Sequence, residues 1–115
     1  MKYLLMIWNN ESEIANAPDS EMAPRLAAYR AYGEAMSKAG VVQGGNRLRP
    51  SDTATTVRVR DGKTQVLDGP YAETKEQLGG YFLIDAPDLD SALSWAARCP
   101  GASHGVMEVR PIWEM

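Results

Sequence analysis

Two uninterrupted apolar runs constrain the fold of this chain more than any other feature. Residues 3–8 (YLLMIW) and 81–84 (YFLI) are apolar at every position and have the length of strands. Successive side chains of a strand point to opposite faces, so a run without polar positions predicts a strand that is covered on both faces. We therefore expect a sheet with other protein packed against each of its faces.

A first helix is predicted over residues 24–39. Pro24 suits the first turn of a helix, and Gly40 suits the position just after the last turn. Apolar and small residues recur at spacings of three and four and form a core-facing stripe. The stripe consists of Leu26, Tyr29, Gly33 and Met36. The preceding residues 9–21 are polar and acidic, and we predict that they form a loop.

A second helix is predicted over residues 89–99. Asp88 precedes it and has the side chain of a good N-cap, while Pro100 and Gly101 follow it and stop it. The predicted core-facing residues are Leu89, Ala92, Leu93 and Ala96.

A β-hairpin is the clearest local prediction. Residues 55–60 alternate in polarity, residues 64–67 return, and Asp61-Gly62 between them is typical of a two-residue type I′ turn. Such a turn fixes the register of the two strands. The expected pairs are Arg60–Lys63, Val59–Thr64, Arg58–Gln65 and Val57–Val66.

Short strands at residues 41–43 and 106–113 complete the order β-α-β-hairpin-β-α-β in one domain that spans residues 1–115. Two helices on one face of a mainly antiparallel sheet form the ferredoxin-like βαββαβ arrangement of α+β proteins, here with an inserted hairpin. The helices cover a single face of the sheet. The apolar runs therefore also predict a dimer, in which a second copy covers the other face.

The segment of residues 68–80 has the composition of a site. It begins with an Asp68-Gly69-Pro70 turn, continues through dense charge and ends in two glycines that allow close approach of backbone or ligand. A lysine beside carboxylates can shift pKa values as acid–base catalysis requires. The candidate catalytic residues are Asp68, Glu73 and Lys75, and the candidate ligand-binding residues are Tyr29, Gly79, Gly80 and Tyr81. The same charges also fit a solvated loop in which Asp68 caps a turn.

The chain resembles the YCII-related family, and within it the branch named for an Asp-Gly-Pro-Phe motif. Residues 68–81 (DGPYAETKEQLGGY) carry the resemblance, supported by residues 31–34 (AYGE), 54–58 (ATTVR) and 108–112 (EVRPI). The resemblance implies a dimeric α+β barrel in a cytoplasmic bacterial protein, often encoded beside an extracytoplasmic-function sigma factor. It implies no particular activity.

Two positions depart from the family pattern. Tyr71 stands where the motif usually has Phe, which adds a hydroxyl. Other members of the wider family place a histidine on the first helix, thought to act with an aspartate, and the matching position here is Tyr29. The histidine–aspartate pair therefore does not transfer to this chain.

Several functional classes find no support in the residues. The net charge of −3 does not favour nucleic acid or an anionic membrane, and no apolar run is long enough for a membrane span. A single cysteine, Cys99, fits a reducing cytoplasm. We expect neither a metal nor a cofactor, because no pattern has metal-ligand spacing. His104 is the one histidine, and a lone loop histidine is usually an exposed side chain.

A basic cluster surrounds the predicted hairpin, formed by Arg47, Arg49, Arg58, Arg60 and Lys63. It can bind an anionic ligand or an acidic partner, or it can simply keep a strand edge solvated. Three hypotheses about function stay open. The chain holds a small-molecule site, with or without catalysis; or it is a regulatory module linked to a sigma factor; or its motif serves folding and dimerisation alone.

Overall fold

A computed structural model describes residues 1–115. Its strands are β1 (Lys2–Asn9), β2 (Val42–Arg47), β3 (Thr55–Arg60), β4 (Lys63–Asp68), β5 (Gln77–Asp85) and β6 (Val106–Pro111). Its α-helices are α1 (Glu11–Asn16), α2 (Asp19–Ala39), α3 (Leu89–Arg98) and α4 (Gly101–His104), and a 3-10 turn covers Ser51–Thr53. None of the helices is both long and apolar enough to cross a membrane.

The strands form one four-stranded sheet and one separate hairpin. The sheet has the order β2-β5-β1-β6, and every hydrogen-bonded pair in it is antiparallel. The β3–β4 hairpin stands apart as a two-stranded sheet. This topology confirms the predicted ferredoxin-like α+β arrangement with an inserted hairpin.

The helix-covered face of the sheet holds the core. Tyr3, Leu5 and Ile7 of β1 are buried, and they alternate with half-buried residues that point to the opposite, open face. The core-forming residues of the helices are Tyr32 and Met36 of α2, Ala92 and Ala96 of α3, and Cys99 after α3. In the protomer the central strand is therefore fully covered on one face only.

The first helical region begins earlier than predicted, and the expectation of a loop over residues 9–21 is wrong. The Asn10 side chain caps α1 by accepting a hydrogen bond from the backbone N–H of Glu13. Helix α2 already starts at Asp19, where acidic side chains in the first turn favour the positive end of the helix dipole. Pro24 consequently lies inside α2 and costs it one backbone hydrogen bond.

The core-facing sides of the two long helices are also narrower than predicted. Leu26 in α2 is 48% exposed, and Leu89 and Leu93 in α3 are 47% and 45% exposed. Tyr32, which the stripe did not include, is buried: it donates a hydrogen bond to the Trp95 carbonyl at 2.7 Å. An aromatic hydroxyl with a backbone acceptor can enter the core at little cost.

Three strand boundaries differ from the predictions because pairing partners extend or shorten the strands. Strand β2 continues through the glycines that were expected to close it, and β5 begins at Gln77 and so includes Gly79 and Gly80. The last strand ends at Pro111, which has no N–H to donate. The short helix α4 has no signal in the sequence that would distinguish it from a loop.

The hairpin has the predicted register. Arg60 lies opposite Lys63 and Val57 opposite Val66. The turn residues Asp61 and Gly62 have φ angles of 52° and 73°. Both lie in the left-handed region that a type I′ turn requires.

The Gly62→Val substitution should destabilise the hairpin by about 1–2 kcal/mol, because a β-branched side chain is strained at positive φ. Hydrogen exchange of the β3 and β4 amides measures this effect directly, since the hairpin is a separate sheet. Gly62→Asn is the matched control and should cost much less, because asparagine tolerates the left-handed region. Equal exchange rates in the two variants would contradict the assigned turn.

The chain is extended for its length and buries few of its residues. Only 12 of the 115 residues are buried. The radius of gyration is 16.2 Å and the extents are 48 × 44 × 19 Å, whereas a compact chain of this length has a radius of gyration of about 13 Å. The open face of the sheet carries Leu4 and Met6, and Val57 in the hairpin is 62% exposed.

We predict that a second copy packs on the open face of the sheet and that the protein is a dimer in solution. Light scattering at micromolar concentration should return twice the chain mass of 12.6 kDa. Met6→Glu should shift the protein to the monomer while its circular dichroism still shows helices and strands. A wild-type mass equal to that of a single chain would refute the dimer.

Candidate functional site

A cavity of about 840 Å³ lies between the helix-covered face of the sheet and the helices α1, α2 and α4. Its size is that of a typical small-molecule site. Ile7 and Phe82 of the sheet contribute to one wall, and Ile14 and Leu26 of the helices contribute to another. Because α2 packs closely only along its C-terminal half, its N-terminal half stands off the sheet and leaves this space.

Tyr29 is the central polar residue of the cavity wall. Its hydroxyl lies against Gly101, where an added Cβ would come within 2.7 Å of the hydroxyl oxygen. Burial raises the pKa of Tyr29, and neighbouring Cys99 raises it further, while the Gly101 backbone and the charge of Arg47 lower it by less. Tyr29 is therefore a protonated hydroxyl at neutral pH, able to donate a hydrogen bond.

Cys99 is packed behind Tyr29 and is 1% exposed. Burial raises the pKa of its thiol, so the group is a neutral thiol and a poor nucleophile. It packs as a small residue of the core.

Two arginines reach the same cavity. Arg47 lies in β2 opposite Gly80, which places it on the helix-covered side of the sheet. Arg25 lies in α2, and its Nη2 atom is 2.6 Å from the Glu21 carboxylate. The sequence analysis assigned Arg47 to the basic cluster around the hairpin and assigned no role to Arg25, so neither was expected here.

His104 lies at the rim of the cavity, as the last residue of α4. The residue is exposed. The sole histidine of the chain thus lies on the same cavity as Tyr29, although the two come from distant segments.

The mouth of the cavity is held by a hydrogen-bonded chain through Glu11. The Glu11 carboxylate accepts bonds from the Ser51 backbone N–H and hydroxyl, both at 2.7 Å. Its backbone N–H donates to the Gln77 side chain at 3.1 Å, and the Gln77 amide nitrogen donates to the Thr74 carbonyl at 2.6 Å. Gln77 therefore ties the motif segment to the start of α1, beside the cavity.

The predicted site residues divide into two groups. Four of them line the cavity: Tyr29, Gly79, Gly80 and Tyr81. The three candidate catalytic residues, Asp68, Glu73 and Lys75, are exposed and lie outside its wall. The protomer therefore brings the aromatic and glycine positions together and leaves the charges of the motif at the surface.

The glycines allow a close approach of neighbouring protein, one of the two roles that the sequence predicted for them. A Cβ at Gly80 would come within 2.9 Å of the Asn46 carbonyl oxygen, and one at Gly79 within 3.0 Å of the Asn9 side chain. The space beside them is thus partly taken by neighbouring protein. Tyr81 lies opposite Met6, so its ring is on the open side of the sheet, and its hydroxyl accepts a hydrogen bond from Asn46 at 3.0 Å.

The first residues of the motif segment fold back and contact the hairpin and the residue before it. The Gly69 N–H donates to the Ala54 carbonyl at 2.7 Å, and the Thr56 hydroxyl donates to the Gly69 carbonyl at 2.8 Å. The guanidinium carbon of Arg58 lies 5.7 Å from the centre of the Tyr71 ring, a cation–π distance. No helix forms over residues 74–76, and β5 begins at Gln77.

The chain contains no group of three or more His, Cys, Asp or Glu residues that could hold a metal ion. The titratable side chains that line the cavity include those of Glu11, Glu13, Arg25, Tyr29, Arg47 and His104.

The fold and the cavity define a ferredoxin-like α+β protein with a candidate small-molecule site between its helices and its sheet. The chain belongs to the YCII-related domain family, whose sequence profile matches residues 1–115. An uncharacterized protein of Rhizobium meliloti (strain 1021) is 43% identical over 119 residues, which cover 97% of this chain and 92% of that protein.

A solved structure with the same fold is 5-chloro-2-hydroxyhydroquinone dehydrochlorinase (TftG) from Burkholderia phenoliruptrix AC1100, in complex with 2,5-dihydroxybenzoquinone. The TM-score is 0.56 at 16% sequence identity, and the match covers 99% of this chain and 94% of that one. At this identity the likeness establishes the common fold.

The Gln77→Leu substitution should loosen the cavity mouth, because it removes two hydrogen bonds. We expect a loss of about 1 kcal/mol in urea unfolding, with faster hydrogen exchange of the Glu11 amide. Gln65→Leu is the matched control, since Gln65 is an exposed hairpin residue whose side chain makes no hydrogen bond. Equal behaviour of the two variants would show that Gln77 does not hold the mouth.

Proposed function

We propose that the cavity binds a small oxygen-bearing organic molecule and promotes a proton transfer on it. The observation that carries this proposal is the position of Tyr29: a half-buried, protonated hydroxyl on the wall of a cavity of about 840 Å³ that Arg47 also lines.

Tyr29 supplies the electrophilic part of the chemistry. Its O–H donates a hydrogen bond to a ligand oxygen, and negative charge that develops on this oxygen during proton removal is stabilised by the bond. The positive charge of Arg47, which also lines the cavity, acts in the same direction. Fixed donors and charges of this kind are effective because they need no reorganisation when the charge appears.

His104 supplies the proton acceptor. It lines the rim, where a ligand seated against Tyr29 extends toward solvent, and histidine is the side chain most often used as general acid or base. Its exposure lets it exchange the proton with water after each turnover. Because side chains alone carry the proton, this reaction needs no cofactor.

The chemistry of TftG supports a ring-shaped ligand. That protein is a dehydrochlorinase that has been solved with 2,5-dihydroxybenzoquinone, a hydroxylated ring with carbonyl oxygens. The cavity of this chain combines apolar walls with a hydroxyl donor and a guanidinium, which suits an oxygenated ring. The proposal keeps the cytoplasmic location and the homodimer expected from the sequence.

The exposed hairpin supports a second candidate, the regulatory module. Arg58, Arg60 and Lys63 are exposed on a hairpin that stands apart from the main sheet. Such a basic surface suits an acidic protein partner, and the family resemblance suggests a link to a sigma factor. We rank it below the cavity, because the hairpin also carries exposed valines that a second copy can cover.

Tyr29→Phe tests the proposed function. Loss of the hydroxyl should weaken binding of 2,5-dihydroxybenzoquinone, the ligand of TftG, by up to about tenfold, the usual value of one hydrogen bond. The matched control is Tyr32→Phe, which removes a buried hydroxyl that lies outside the cavity. Titration calorimetry measures both. Unchanged affinity in Tyr29→Phe, or an equal loss in the control, would count against the proposal.

A further inference from the structure

One of the two arginines that line the cavity has no carboxylate partner. The ion pairs of the protomer join the N-terminus to Asp85, Arg25 to Glu21, and Arg110 to Glu108. Arg47 takes part in none of them. Its charge nevertheless acts on the Tyr29 hydroxyl inside the cavity.

The carboxylates that line the cavity form no ion pair with Arg47. Both oxygens of Glu11 are bonded to Ser51, and Glu13 is an exposed residue of α1. Arg25 has one partner, Glu21, which is bonded through a single guanidinium nitrogen. The lining thus holds two arginines and two glutamates, and Arg47 is the arginine that has no carboxylate within ion-pair distance.

Part of the wall is apolar. Ile7, Leu26 and Phe82 contribute to this part, and Leu26 is an exposed residue. A ligand that fits this wall needs a hydrophobic body as well as a group for the arginines. Guanidinium groups bind carboxylates and other oxyanions through charge-assisted hydrogen bonds.

We propose that the cavity selects small organic anions, an ionised oxygen acid on an apolar body, with Arg47 as the anchor for the anion and Arg25 as the second cation. The proposal rests on the small-molecule function proposed above and names the charge of its ligand. The shared chemistry of the class is a carboxylate or a phenolate oxygen.

The Arg25–Glu21 pair tunes this selection. Its two side chains are 21% and 50% exposed, so Glu21 faces water more than Arg25 does. Glu21 reduces the positive charge that a ligand meets at Arg25. Removing the carboxylate with Glu21→Gln should therefore strengthen anion binding, and removing a cation should weaken it.

Binding of simple probes to the full-length protein tests the proposal without any turnover. The probes are benzoate, para-nitrophenolate above its pKa, and benzamide as the neutral isostere of benzoate. Titration calorimetry, with chemical shifts of cavity residues as the check on location, should show that an anion binds at least about tenfold more tightly than benzamide. The anion that binds better identifies the carboxylate or the phenolate as the preferred group.

Substitutions then assign the charge to its residue. Arg47→Met should weaken binding of the anion about 10- to 100-fold and leave benzamide unchanged. Arg49→Met is the matched control, because Arg49 is an exposed arginine two positions away that does not line the cavity. Glu21→Gln should strengthen anion binding severalfold.

The proposal fails if benzamide binds as tightly as the anions, if Arg49→Met weakens binding as much as Arg47→Met, or if no anion binds at millimolar concentration. The first result leaves the proposed small-molecule function intact, since a neutral ligand then occupies the cavity. The third result, together with an unaffected Tyr29→Phe variant, removes both.

Discussion

Packing of the central strand against the helix layer is the constraint on which the rest of this structure depends. Tyr3, Leu5 and Ile7 form the middle of the sheet and meet the small residues of α3 on one side and the C-terminal half of α2 on the other. Small residues allow α3 to approach closely. The N-terminal half of α2 has no such fit, so it stands off the sheet, and the gap is the cavity. The core and the candidate site thus both result from the way in which α2 packs against β1.

The sequence predicts the architecture of this chain well because its strongest signals are local. The Asp61-Gly62 turn and the Asp88 cap depend on a few adjacent residues, and both form as expected. Helix ends and strand lengths are less predictable, because they depend on partners. Gly79 and Gly80 look like loop residues, but both belong to β5, and Gly80 pairs with Arg47 of β2. Acidic residues that suggested a loop before Pro24 instead stabilise the first turns of α1 and α2.

The candidate site could be predicted only in part. Gly79, Gly80 and Tyr81 were predicted from their place in the motif, and Tyr29 was predicted on the first helix; all four line the cavity. Arg25, Arg47 and His104 were not assigned to it, because they come from three separate elements and carry no local pattern. Their proximity exists only after the helices and the sheet are assembled. The charged residues of the motif lie outside the cavity, although they are close together in the sequence. The density of charge along the chain does not determine which way the side chains point once the loop folds back on the hairpin.

Cys99 gives this protein an internal reporter of its own motions. The thiol is buried behind Tyr29, at the junction between α3 and α4, and it is the only cysteine. A buried, protonated thiol reacts with alkylating reagents only when the structure around it opens. Its rate of modification therefore reports how often the α3–α4 corner separates from the sheet. This corner lies next to Tyr29 and so next to the wall of the cavity. A ligand seated against Tyr29 would slow that reaction even if it produced no change in absorbance, fluorescence or heat.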